Sequence, residues 1–175
     1  MSRVVWITGR PASGKTTLAR AIVAELTRLG ERATLVDSDE VRAVITPEAT
    51  YTPEERRLVY RTIAYMAHRL DVAGTRPVVA ATANDESLRA EAMRITGGHT
   101  LVLADAPLAT CEARDPKGLY RRAREGLSAT LPGVGVPFER PDDADLVVDT
   151  ANEPPELAAR RVVEWLRHRE KLHAG

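Results

Sequence analysis

Apolar residues in this chain fall into five short runs, separated by longer stretches in which they recur every three or four positions. The first run, Val4 to Thr8, is apolar without alternation, the pattern of a strand covered on both faces. Ala33–Val36, Pro77–Ala81, Thr100–Leu103 and Asp145–Val148 read as four further strands. Between the first two, a helix beginning near Lys15 carries Leu18, Ile22, Leu26 and Leu29 on one side and stops at Gly30. A less regular stretch follows from Glu40, punctuated by Pro47 and Pro53. Thr52-Pro53-Glu54-Glu55 then opens a helix with a capping side chain, a first-position proline and two acids facing the dipole. Leu58, Ile63, Met66 and Leu70 mark its predicted apolar side, and Gly74 its end. A helix over 86–95 closes at Gly97-Gly98. Beyond the fourth strand come a short helix over 107–114, a strongly basic one over 117–126, and a Pro- and Gly-rich loop over 132–141. The last helix starts near Pro155 and sets Leu157, Val162 or Val163, and Leu166 on one side. Strands alternating with helices imply an α/β fold: one parallel sheet with helices on both faces and ligands at the carboxyl ends of the strands.

Composition narrows the class. At 175 residues with 43% hydrophobic content, the chain reads as one domain with a sizeable core and no internal repeat. Twenty-five basic residues balance 25 acidic ones, so net charge gives no support for nucleic-acid binding. Cys111 is the one cysteine and reads as a reduced thiol. No charged leader, apolar signal core or 18-residue apolar run occurs, so the expectation is a cytoplasmic protein without membrane contact. His68, His99, His168 and His173 lack metal-ligand spacing. Trp6 and Trp165 read as packing residues, and Arg121, Arg122 and Arg124 as a solvated or lid-associated face.

The first strand runs into G-x-x-x-x-G-K-T, complete from Gly9 to Thr16. Glycines at those two places let the backbone turn so that successive N–H groups cradle the β- and γ-phosphates of a nucleotide. Lys15 adds a point charge, the Thr16 hydroxyl can ligate Mg²⁺, and the helix dipole adds positive potential. The predicted ATP-binding set is therefore Gly9, Arg10, Pro11, Ala12, Ser13, Gly14, Lys15, Thr16 and Thr17, with ATP and Mg²⁺ as cofactors.

Asp37 and Asp39 follow the second strand and so belong at the same sheet edge. A carboxylate there can hold magnesium through water or accept the proton of an attacking hydroxyl. Asp39 is assigned as the base or acceptor-orienting group and Asp37 as the magnesium partner, with the reverse division open and helix capping as the plainer role of both. Arg42 comes one turn later on broadly the same side, fit to clamp an acceptor phosphate. Arg114 to Tyr120, R-D-P-K-G-L-Y, suits a mobile lid whose cations close over ATP; Lys117 stands out in a chain with 22 arginines and three lysines.

C-E-A-R-D-P-K-G-L-Y-R-R-A-R-E-G (Cys111–Gly126), P-F-E-R-P-D-D-A-D-L-V-V-D-T (Pro137–Thr150) and L-V-D-S-D-E-V-R (Leu35–Arg42) together resemble the adenylylsulfate (APS) kinases over most of the chain and in order. The resemblance implies a P-loop nucleotide-kinase-like three-layer fold, a lid at about 114–140, and usually a homodimer. It implies transfer of the ATP γ-phosphoryl group to the 3′-hydroxyl of adenosine 5′-phosphosulfate. By position, Arg42 and Arg56 would bind the acceptor's anionic end, Tyr51 would be one of two aromatic clamps on its adenine, and Arg114 would lie against the adenine of ATP. The departures cluster on the acceptor side. Val59 replaces the family's asparagine, A-N-D-E-S (Ala83–Ser87) replaces I-S-P-Y-R, and Leu131 replaces the second aromatic clamp; Pro11 and Ala12 stand where serine and glycine are usual. Two alternatives follow: a kinase of this lineage with another nucleotide conjugate or small alcohol as acceptor, or an ATP-binding switch without an acceptor.

Overall fold

The computed structural model describes residues 2–174, with side chains through residue 172. All five expected strands form: β1 (Val5–Thr8), β2 (Ala33–Asp37), β3 (Arg76–Ala80), β4 (Thr100–Asp105) and β5 (Leu146–Asp149). They pair in parallel in the order β2-β3-β1-β4-β5. The helices are α1 (Lys15–Arg28), α2 (Ser38–Ile45), α3 (Pro53–Val72), α4 (Glu86–Thr96), α5 (Leu108–Arg114), α6 (Leu119–Arg124) and α7 (Pro155–Ala174).

Strand order dictates which face each helix covers. The chain leaves β1 in one direction to reach β2 and returns in the other through β3 and β4. Right-handed crossovers therefore put α1 on one face and α3 and α4 on the other. Side-chain alternation along β1 supplies both faces. Val5 and Ile7 meet Leu18, Ile22 and Leu26 of α1 and Ala158, Val162, Val163 and Leu166 of α7. Val4 and Trp6 meet Val59, Ile63 and Ala67 of α3 and Leu88 and Ala92 of α4. Trp6 is thus a core residue, stacked on His99 with ring centroids 5.4 Å apart, and burial pushes the His99 imidazole down to about 4. A third, smaller cluster of Ala106, Cys111, Tyr120 and Leu131 sits under α5 and α6.

Several boundaries and faces differ from the sequence reading. The second helix starts at Ser38, two residues before Glu40, because the Asp37 side chain caps it by accepting from the Asp39 N–H at 2.8 Å. In α3 the buried stripe is Val59, Tyr60, Ile63, Ala64 and Ala67, whereas Leu58 and Met66 face solvent. The aromatic and alanine positions set that face, and Leu58 lies one residue to its side. In α7, Ala158 and Ala159 pack on the sheet, and Leu157 is exposed for the same reason. The basic helix is shorter than expected, since Asp115 accepts from the Tyr120 and Arg121 N–H groups and fixes its start at Leu119. Arg121, Arg122 and Arg124 are exposed, as expected. Among the described residues, no helix is long and apolar enough to cross a membrane and no group of three or more His, Cys, Asp or Glu side chains could hold a metal.

The face assignment has a direct measure in urea unfolding. Ile22→Ala removes a fully buried side chain between the sheet and α7 and is expected to cost about 2–5 kcal/mol. Leu58→Ser, on the solvent side of α3, is expected to stay within about 0.5 kcal/mol of wild type. A large loss at Leu58 would show that this face is packed.

Candidate active site

The loop between β1 and α1 packs against the end of β4. A Cβ on Gly9 would lie 2.5 Å from the Ala104 carbonyl oxygen and 2.6 Å from Ser13 Oγ, so only glycine fits there. Gly14, in the left-handed region at φ 91°, forms the N-cap of α1 with no side-chain cap, and no acid occupies the first turn. Ala12 is also left-handed at φ 59°. Alternating left- and right-handed residues turn successive N–H groups to one side, a concave donor array suited to an anion. Among the described residues, the N–H groups of Ala12, Gly14, Lys15, Thr16 and Thr17 make no hydrogen bond. The uncapped helix start adds its dipole to the same spot. Lys15 Nζ lies folded over the loop, donating to the carbonyls of Gly9 at 3.0 Å and Arg10 at 2.6 Å. Burial lowers its pKa to about 8, against smaller opposing contributions from Asp39, Cys111 and Asp37.

One large cavity, about 1220 Å³, opens at the carboxyl ends of the strands. Its wall brings together Pro11, Ala12, Gly14 to Thr17, Asp37, Asp39, Arg42, Tyr51, Arg56, Arg114, Lys117 and Leu131. Of the residues predicted from sequence, only Gly9, Arg10 and Ser13 lie behind that wall; they shape the loop instead.

The two aspartates are sharply distinguished. Asp37 is buried; its Oδ2 accepts from the Thr16 hydroxyl at 2.7 Å while Oδ1 caps α2. Capping and site roles therefore coincide in one residue. Asp39 is exposed, caps nothing, and pairs with Lys117 Nζ of the lid. Lys117, expected as a cation over ATP, thus has a carboxylate of the same cavity as its partner. Arg114 donates to the Thr150 carbonyl at 2.8 Å, and its guanidinium stands beside Gly14 at the cavity's lip.

On the opposite wall Arg42 is held by Glu55 at 3.0 Å and lies over the rings of Tyr51 (4.9 Å) and Tyr60 (5.9 Å). Glu55 also accepts from the Thr50 hydroxyl and N–H and from the Tyr51 N–H, and these bonds, with Arg42, keep its carboxyl below the usual range. Tyr51, at φ 56°, is thereby pinned in a conformation unusual for a side chain of its size. Arg56 donates Nε–H to the Tyr51 carbonyl at 3.1 Å, and its terminal nitrogens reach Asn84 Oδ1 at 3.4 Å and the Thr130 carbonyl. Leu131 follows Thr130 in the loop after α6, buried in the cluster that includes Cys111 and Tyr120.

Sequence reasoning missed four contributors. Thr150 Oγ1 donates to the Ser13 carbonyl at 2.6 Å, tying the phosphate loop to the end of β5. Tyr120 donates to the Pro11 carbonyl at 2.9 Å. Glu55 was legible as a helix-opening acid but not as the clamp on Arg42. Asn84 had no signal beyond its polarity, because its partners lie 28 and 53 residues away.

The chain matches a family model described as adenylylsulphate kinase over residues 1–149. The adenylyl-sulfate kinase of Paraburkholderia xenovorans is 37% identical over 164 residues, 93% of this chain and 92% of the relative. That of Pseudomonas aeruginosa is 35% identical, covering 93% of this chain and 84% of the relative. The APS kinase of Mycobacterium tuberculosis, solved in complex with AMPPNP and APS, superposes with a TM-score of 0.90 at 29% identity over 95% of this chain and 98% of that one. With this family match and these relatives covering nearly its whole length, the chain belongs to the adenylylsulphate kinase family.

Proposed function

We propose that this protein transfers the γ-phosphoryl group of ATP to the 3′-hydroxyl of adenosine 5′-phosphosulfate, releasing ADP and the 3′-phosphorylated product. The observation that carries the reading is the shared cavity. It sets a phosphate cradle, an exposed carboxylate and two arginines flanking a tyrosine around one space large enough for two nucleotides. The M. tuberculosis relative, which holds AMPPNP and APS together, supports the same occupancy here.

In this reading the free N–H groups of Ala12, Gly14, Lys15, Thr16 and Thr17 and the Lys15 ammonium hold the β- and γ-phosphates. Thr16 and Asp37 fit a magnesium ion: hard oxygen donors, few in number, already hydrogen-bonded to each other at 2.7 Å beside the cradle. With too few protein ligands for a closed site, the ion would complete its shell with nucleotide phosphates and water. When bound it neutralises charge on the transferring group. Asp39 orients the acceptor hydroxyl and takes its proton as the new O–P bond forms and the bond to ADP breaks. For that, Lys117 must leave the carboxylate, and the triphosphate's charge is the competing partner. Arg42 and Arg56 receive the acceptor's anionic end, Tyr51 stacks on its base, and Arg114 lies against the adenine of ATP. Phosphoryl transfer gains chiefly from positioning and charge stabilisation, which these groups supply without a covalent intermediate. The free, buried Cys111 accords with work in the cytoplasm, and the family reading carries a homodimer with it.

A coupled ADP-release assay with APS is expected to show turnover, and Lys15→Ala to abolish it. Turnover with another nucleotide or small alcohol but not with APS would reassign the acceptor. ATP binding without transfer to any acceptor would make the protein a switch. Asp39→Asn should lower kcat by about a hundredfold or more while ATP Kd changes little; an unchanged rate would remove Asp39 from the mechanism. Arg42→Ala should raise the acceptor KM and leave ATP Kd nearly unchanged, whereas a large loss of ATP affinity would place Arg42 on the donor side.

Lys15 adds a pH dependence. Burial holds it at about 8 against an ordinary 10.5, and phosphates beside it restore the charged form. Above pH ~8 the free protein has lost this proton and ATP binding must take it back up. Affinity should therefore fall by up to about tenfold per pH unit between pH ~8 and ~10. Calorimetry in buffers of different ionisation enthalpy should read close to one proton taken up at pH 9. No uptake in that range would show that Lys15 does not meet the phosphates.

A further inference from the structure

The phosphate loop turns at Arg10–Ser13, where the Ser13 N–H donates to the Arg10 carbonyl at 3.1 Å, and that turn carries a strained residue. Ala12 holds φ 59°, a region where a Cβ is crowded and where the family usually places glycine. Pro11, just before it, has no N–H of its own to give to the cradle. The turn bond fixes the ends of this dipeptide, and the bond to its central peptide comes from outside the loop. Tyr120, at the start of α6 and 1% exposed, donates its hydroxyl to the Pro11 carbonyl at 2.9 Å. The Ala12 methyl packs against the cluster that contains Tyr120, Cys111 and Leu131.

A trans peptide points its carbonyl and its N–H in opposite directions, and no peptide in the described chain is cis. Holding the Pro11 carbonyl toward Tyr120 therefore turns the Ala12 N–H away from Tyr120. Tyr120 lies in the buried cluster behind the cavity wall, whereas Pro11 and Ala12 line the cavity itself. The side away from Tyr120 is thus the cradle, and the Ala12 N–H has no other partner among the described residues. We propose that Tyr120 is a positioning residue for phosphoryl transfer, fixing the Pro11–Ala12 peptide so that its N–H faces the nucleotide phosphates. Tyr120 sits on the lid helix, five residues from the Asp115 that fixes the helix start, so the same bond couples the lid's base to the cradle's shape.

The inference rests on the cavity being a nucleotide-triphosphate site, and wild-type ATP binding by calorimetry tests that premise separately. Tyr120→Phe removes one oxygen; the neighbouring Cys111 Sγ keeps the Ala106 carbonyl as its partner at 3.8 Å. ATP and ADP Kd should rise about fivefold to tenfold, the value of one lost hydrogen bond, with the acceptor KM at saturating ATP within twofold of wild type. In an Ala12→Gly background the same change should cost at most half as much on a logarithmic scale, because glycine holds the positive φ without strain. That rescue is foreign to a merely structural tyrosine. The shift in melting temperature produced by saturating ADP gives the same comparison on small amounts of folded protein. Nucleotide Kd and ADP shift equal to wild type in Tyr120→Phe, or equal losses in both backgrounds, would overturn the assignment.

Discussion

The site depends on how closely two backbones approach. β1 lies between β3 and β4, and the chain must leave its end by passing over the end of β4. At Gly9 the gap is too small for a methyl group, with the Ala104 carbonyl 2.5 Å from where one would be. Because the loop cannot lift there, it turns back sharply, and α1 begins with its free N–H groups aimed into the cavity. Thr150, just beyond β5, completes the seal by bonding the Ser13 carbonyl at 2.6 Å and the Asp105 carbonyl at 3.1 Å. Three strand ends and one helix start are thus fixed to one another. Side chains projecting from those ends inherit that precision.

The two aspartates show how environment divides roles between like groups. Asp37, buried against the Thr16 hydroxyl and the start of α2, has a hydrogen bond on each carboxylate oxygen and so is held in one orientation. Asp39, two residues later, stands in solvent with the Lys117 ammonium as its partner. An ion pair so exposed is worth little, about 0–1 kcal/mol. A multiply charged phosphate can therefore draw Lys117 away at small cost. The proposed division of roles follows from this contrast: a rigid carboxylate suits a bound ion, and a loosely held one suits a proton that must move.

What the sequence made legible is what local chemistry encodes. Runs of Val, Ile and Ala declared the five strands, and the glycine spacing with Lys15 and Thr16 declared the cradle. Asp37, Asp39 and Arg42 were placed at the cavity because a strand end fixes where the next residues go. The losses came where packing overrides a pattern. In α3 a stripe of Leu58 and Met66 was as regular as the true one, but the sheet accepted the tyrosine, valine and alanines beside it. Tyr120 read only as part of a lid motif, since its partner lies 109 residues earlier in the chain. Such a bond leaves no trace in spacing.

The cavity wall around Arg42 and Arg56 shows why a departure from the pattern that the resemblance implies is not the same as a gap in a site. Val59, at the place where the resemblance implies an asparagine, is fully buried in one cluster with Ile63, Trp6 and Leu88, so that place belongs to an apolar core. Asn84 stands within the replaced segment after β3. It accepts from Arg56, donates to the Pro137 carbonyl, and takes the Glu139 N–H on its own carbonyl. Arg56 in turn reaches the Tyr51 and Thr130 carbonyls, so one guanidinium braces the tyrosine loop, the segment after β3 and the lid together. Each of those bonds removes a rotamer choice before any ligand arrives, which lowers the ordering cost of binding. Polar groups so satisfied reject a molecule that would unpair them. The wall therefore has its polar groups bonded to one another before a ligand enters, with residues other than those the resemblance implies.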